Sequence, residues 1–112
     1  MGSELTKRHC QRDTTLLGDD ATRALLAEIH SEWNCVEDDK GIQRTFHFRN
    51  YYQTIAFVNA LAWVAHAEDH HPDLTVSYNR CMVTYSTHSV GGLSENDFIC
   101  AARIDALATD DA

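Results

Sequence analysis

The sequence is poor in positive charge, in proline and in long apolar runs. Nine Lys and Arg stand against 17 Asp and Glu, a formal net charge of −8. No basic cluster interrupts that balance. A phosphate-binding surface needs clustered Lys and Arg, so nucleic acid is not an expected partner. An anionic small molecule would need a local exception to the general field. No stretch approaches the ~20 apolar residues that span a bilayer, and the N-terminus has no segment resembling a signal peptide. No membrane partner is expected, and the expected location is cytoplasmic. Cys10, Cys35, Cys81 and Cys100 include no CxxC pair. Their spacing suits neither a zinc ribbon nor a dense disulfide framework, so each is expected to be a reduced thiol acting as a small hydrophobe. Internal repeats and low-complexity segments are absent as well.

What is present suits a single domain. The chain has 112 residues, 44% of them hydrophobic, enough for one core. Residues 1–15 are polar and without periodicity, which predicts a flexible arm ahead of a domain over 16–112. Asp19 or Asp20 can start a helix that puts Leu25, Leu26 and Ile29 on one face. WNCV reads as a short strand and EDDKG as the turn after it. In IQRTFHF (42–48), Ile42, Arg44, Phe46 and Phe48 alternate with Gln43, Thr45 and His47, the period of a half-buried strand.

Asn50 can cap the longest apolar segment, YYQTIAFVNALAWVAHAED, in which Ile55, Val58, Ala62 and Ala65 recur at helical spacing. Gly and Pro are absent from it, so a helix is expected near 50–69, and the only proline, Pro72, stops it. LTVSY and RCMVTYS read as two strands around a turn at Asn79, with Cys81, Val83 and Tyr85 facing one way. Ser94 and Asp97 form a capping-box-like start for a last helix. The order α-β-β-α-β-β-α predicts an α+β domain: an antiparallel four-stranded sheet with helices packed on one face.

The chemistry concentrates in HAEDHHP, which places His66, His70 and His71 within seven residues, with His88 following in STHSVGG. His66 and His70 share a helix face if the helix reaches that far. Three readings compete: solvated histidines, a zinc site built on HxxxH, or acid–base groups titrating near neutral pH. The residues alone leave the last two level.

The spacing His66-x3-His70-His71-Pro72, then Tyr78, His88 and Asp97, resembles the signature of the pterin-4a-carbinolamine dehydratases. Trp33, GIQRTFHF and YQTIAFVNALAWVAHAE are similar to that family's first hairpin and central helix, so the resemblance covers about 33–107. His66 departs from it, since relatives often carry a carboxylate there. The resemblance implies dehydration of 4a-hydroxytetrahydropterin to quinonoid dihydropterin and water, within tetrahydrobiopterin recycling and downstream of an aromatic amino acid hydroxylase. It implies His70, His71 and His88 as the catalytic set, with His70 and His88 moving protons and His71 orienting substrate. Asp69, Ser86, Thr87, Ser89 and Trp33 are the implied substrate-binding residues. Neither a metal nor an organic cofactor is expected, and a homodimer or homotetramer is. Two other readings stay open: a non-enzymatic dimerisation cofactor of a transcription factor, and a histidine-based metal protein.

Overall fold

The computed structural model describes residues 4–109. Strand β2 (Gly41–His47) pairs antiparallel with β4 (Arg80–Tyr85), setting Ile42 opposite Tyr85 and Phe46 opposite Cys81. β1 (Asn34–Val36) lines the outer side of β2, and β3 (Asp73–Ser77) flanks β4. The four-stranded sheet is antiparallel throughout, in the order β1-β2-β4-β3. Ile42, Phe46, Cys81, Val83 and Tyr85 are buried on one face, whereas Gln43, Thr45 and Thr84 on the other are only half-buried. Three helices cover the buried face: α1 (Asp19–Leu26), α2 (Tyr51–Glu68) and α3 (Glu95–Thr109). This is the α+β layout that the alternation predicted.

The long helix forms where the sequence places it. The Gln53 N–H donates to Asn50 Oδ1 at 2.9 Å, closing the first turn. Thr54, Phe57, Leu61, Ala65 and Glu68 make its buried stripe. The Phe57 ring lies 4.6 Å from that of Phe46 and 5.0 Å from that of Phe48. Burying side chains of this size contributes about 1.5–3 kcal/mol each. α2 ends at Asp69, which adopts the left-handed conformation (φ 54°, ψ 43°). The Asp69 N–H returns to the His66 carbonyl at 3.2 Å and the His70 N–H to that of Ala65 at 3.0 Å, a Schellman-type closure. A left-handed L-residue costs about 1–2 kcal/mol; here the cost turns the chain sharply at the histidines.

Two expectations need correction. Over its described part, the segment expected as a flexible arm is seated on the domain; residues 1–3 fall outside the described residues, as do 110–112 of the expected domain. Glu4–Lys7 form a 3-10 turn that buries Leu5 in the core. The backbone beyond it is held by polar groups of α2 and α3, which leave no periodic signal. The second correction concerns His66. The left-handed turn at Asp69 breaks the helix before His70, so His66 stays on the exposed face of α2, away from His70.

Candidate active site

The end of α2, the start of α3 and the end of β4 meet at His70. Its Nε2 lies 2.6 Å from Asp97 Oδ1. Asp97 is fully buried, and the other oxygen of its carboxylate accepts the Thr87 hydroxyl at 2.8 Å and the Ser94 N–H at 2.9 Å. The capping box therefore does more than start α3: it orients a carboxylate whose free oxygen meets the imidazole. Ser94 Oγ completes the box by accepting the Asn96 N–H at 3.2 Å. The His70 ring stacks on Tyr85 at 5.1 Å, and the Tyr85 hydroxyl donates to the His70 carbonyl at 3.2 Å. Ring, backbone and partner are all fixed, and Nδ1 is the ring nitrogen left without a partner among the described residues.

Burial pulls the His70 pKa down, but the hydrogen bond and charge of Asp97 outweigh it. The imidazole is held above its ordinary value of 6.5. Asp97 thus favours the protonated ring, the form a proton donor needs.

His70 opens into a cavity of about 460 Å³, shared with Asp69, Thr87 and Ser89. Four of the residues expected from the sequence are thereby brought together. One wall comes from a segment that sequence reasoning left out: Cys10, Gln11, Arg12 and Thr14. Glu68 fixes that wall, accepting the Cys10 N–H at 2.7 Å and meeting His9 Nδ1 at 2.9 Å. Burial raises the Glu68 pKa, yet the Cys10 N–H, His9 and Arg103 together hold it below the ordinary carboxylate value. The donors in KRHCQRDTT were the available hint, but their partners lie more than 55 residues away along the chain.

Other expected residues lie elsewhere. His71 and His88 are exposed and do not line the cavity, although His88 sits between Thr87 and Ser89, which do. Ser86 is half-buried and outside the lining. Trp33 is a core residue, 2% exposed, whose indole N–H donates to Asp105 at 2.8 Å. A buried indole needs such an acceptor, and this one lies toward the far end of α3. A hollow of about 490 Å³ between α1 and the turn at 38–40 has no histidine in its lining, so it offers no comparable acid–base chemistry. Among the described residues, no group of three or more His, Cys, Asp or Glu is placed to hold a metal ion.

Fold and site together define a small α+β protein with a carboxylate-supported histidine facing a polar cavity. A family model described as pterin 4 alpha carbinolamine dehydratase matches residues 15–107. A Legionella pneumophila protein, provisionally named a pterin-4-alpha-carbinolamine dehydratase, is 46% identical over 98% of this chain and 100% of its own length. A Brucella melitensis crystal structure, described as a transcriptional coactivator/pterin dehydratase, superposes with a TM-score of 0.78 at 32% identity, covering 82% of this chain and 97% of that one. A pterin dehydratase-like protein described as a RuBisCO assembly factor in the alpha-carboxysome matches at TM-score 0.61 and 30% identity, over 70% of this chain and 92% of that one. The chain belongs to the pterin-4a-carbinolamine dehydratase family.

Proposed function

We propose that the protein dehydrates 4a-hydroxytetrahydropterin to quinonoid dihydropterin and water, acting as a hydro-lyase. The observation that carries this reading is His70, braced by Asp97 and open to the cavity. The 4a-hydroxyl is a poor leaving group. Its departure needs a proton, which Nδ1 of His70 supplies as the C4a–O bond breaks and water forms. The N5–H proton leaves to a base, and the ring regains its proton, so the net change is loss of one water. His88, between two cavity residues, takes the base role, and His71, next to His70 in the chain, orients the substrate. Asp69, Thr87 and Ser89 offer polar groups to the pterin's donor and acceptor edge. A positioned acid or base contributes about 10²–10⁴-fold.

The substrate is a product of aromatic amino acid hydroxylation, which places the reaction in tetrahydrobiopterin recycling. Four free thiols suit the cytoplasm. The exposed Tyr52 and Trp63 of α2, 84% and 71% accessible, suit self-association as a homodimer or homotetramer. The same face favours a second reading, a binding partner for a transcription factor.

Dehydration of 4a-hydroxytetrahydropterin, followed against its spontaneous rate, tests the proposal. We expect catalysis that chelators leave intact and that His70→Ala removes. A rate equal to background with folded protein sinks the enzymatic reading and leaves the binding one.

A further inference from the structure

Three residues of α3, Asn96, Cys100 and Arg103, fall on one helix face and each holds one residue of the N-terminal segment. Asn96 exchanges hydrogen bonds with the Gln11 backbone: Gln11 N–H to Oδ1 at 3.0 Å and Nδ2 to the Gln11 carbonyl at 2.8 Å. Arg103 donates to the Arg8 carbonyl, its Nε at 3.2 Å. Between these two anchors Cys10 Sγ lies 3.6 Å from Cys100 Sγ. The segment thus runs antiparallel along the helix with its thiol presented to the helix thiol. The Cys10 N–H bond to Glu68 fixes that residue's own backbone. A disulfide needs its sulfurs about 2.0 Å apart. The gap of 3.6 Å lies within reach of small side-chain rotations, and Cys10 is on an irregular segment that can follow.

The two thiols differ in exposure. Cys100 is fully buried, whereas Cys10 is half-buried and lines the cavity, so a small oxidant entering there meets Cys10 first. Cys35 and Cys81, the other two, stand apart from this pair: Cys81 is buried on β4 and Cys35 is on β1.

We propose that Cys10 and Cys100 are an oxidative modification site, a dithiol that closes to an intrachain disulfide when a hydroperoxide enters the cavity. This inference goes beyond dehydration and does not depend on it. Cys10 loses its proton, and its sulfur attacks the peroxide; the O–O bond breaks, giving a sulfenic acid and, from hydrogen peroxide, water. The Cys100 sulfur then attacks the Cys10 sulfur, the S–O bond breaks and a second water leaves. Both sulfurs are oxidised and the peroxide is reduced. The bond between the two thiols, with the Tyr85 hydroxyl, holds Cys100 below the ordinary thiol range against the effect of burial. That suits Cys100 to the second, resolving attack. The same bond, burial and Glu68 hold Cys10 above that range, so the first attack is the slow step. The closed bond ties the cavity wall covalently to α3, and a thiol reductant reverses it.

Reduced, full-length protein treated with stoichiometric hydrogen peroxide, then denatured and alkylated, tests the proposal by intact mass and peptide mapping. We expect both thiols of this pair to be lost, a mass lower by two hydrogens, and a linked peptide joining Cys10 to Cys100. Cys35 and Cys81 should remain alkylatable. Trypsin cleavage after Arg12 should slow on oxidation. Cys100→Ser should lose the link and the protection, and its Cys10 should stop at sulfenic acid, trapped by dimedone. Cys10→Ser should leave Cys100 reduced. Recovery of Cys10 and Cys100 as free thiols, oxidation of Cys10 to sulfinic acid in wild type, or a link found only between chains would each overturn the proposal.

Discussion

Two of the carboxylates on α3, Asp97 and Asp105, lie about two turns apart, and each accepts from nitrogen donors outside the helix. Asp97 meets the imidazole of His70, the Thr87 hydroxyl and the Ser94 N–H. Asp105 meets the Arg44 guanidinium at 2.6 Å, the Trp33 indole and the His30 N–H. The acceptors are chemically the same, and the donors decide what each end does. A guanidinium keeps its proton, so the Asp105 end ties β2 and the chain before β1 to α3. An imidazole titrates near neutrality, so the Asp97 end holds a proton that can be given away. One ties the fold together; the other supplies an acid.

The largest expected separation between the two ends comes from deleting the imidazole. His70→Ala should lower the catalysed dehydration rate about 10²–10⁴-fold. It should also lower stability by about 1–3 kcal/mol, because it leaves a buried Asp97 oxygen without a partner. Rate assays and thermal melts on the same preparation measure both.

Asp105→Ala should do the reverse. Arg44 and Asp105 have side chains only 11% and 14% exposed, and the substitution leaves the guanidinium only the Glu32 carboxylate, at 3.8 Å. A loss of about 3–5 kcal/mol in denaturant unfolding is expected, with activity per folded molecule retained. If activity falls as far as in His70→Ala, the division between the two ends fails.

Asp97→Asn keeps the shape of the site and removes the charge. The rate should drop ~10–100-fold, as for other groups that position a reacting one. An unchanged rate would reduce Asp97 to a helix cap.

The next effect is one of pH. The His70 pKa is raised, so its pairing with Asp97 contributes fully below the ordinary imidazole value of 6.5 and is lost as pH rises through the folded value. Melting temperature should therefore decline across that window in wild type, and more weakly in Asp97→Asn. The smallest effect belongs to His47, exposed on β2. His47→Ala should retain activity and change stability by no more than about 0.5 kcal/mol.

Much of this arrangement is legible in the sequence, and what is legible is local. The alternation from Ile42 to Phe46 and from Cys81 to Tyr85 marks the central strands because one face is buried and the other is not. The helical stripe and Asn50 mark α2, and Pro72 with the histidines marks its end. Ser94 and Asp97 read as a cap, which they are.

Hidden from the sequence was the long-range use of the same groups. A capping carboxylate has a second oxygen, and only the tertiary fold brings His70 to it. The seating of residues 4–14 was equally illegible. It rests on one apolar anchor, Leu5, and on bonds to Glu68, Asn96 and Arg103 that carry no periodicity. Trp33 misled for a related reason: a tryptophan needs both apolar packing and an acceptor, and sequence cannot say which acceptor. Phe46, at 6.2 Å, and Asp105 supply both within the core. His71 follows His70 directly but points to solvent, because the left-handed turn at Asp69 buries one ring and not the next.

The central claim is that Asp97 raises the pKa of His70 at the cavity and so favours its protonated form. Titration of the His70 ring by NMR, in wild type and in Asp97→Asn, tests it without recourse to the enzymatic assay. The wild-type ring should titrate above 6.5, the ordinary value, and the variant's should move down. A wild-type ring that titrates at or below that value, or one unmoved by the substitution, would contradict the account.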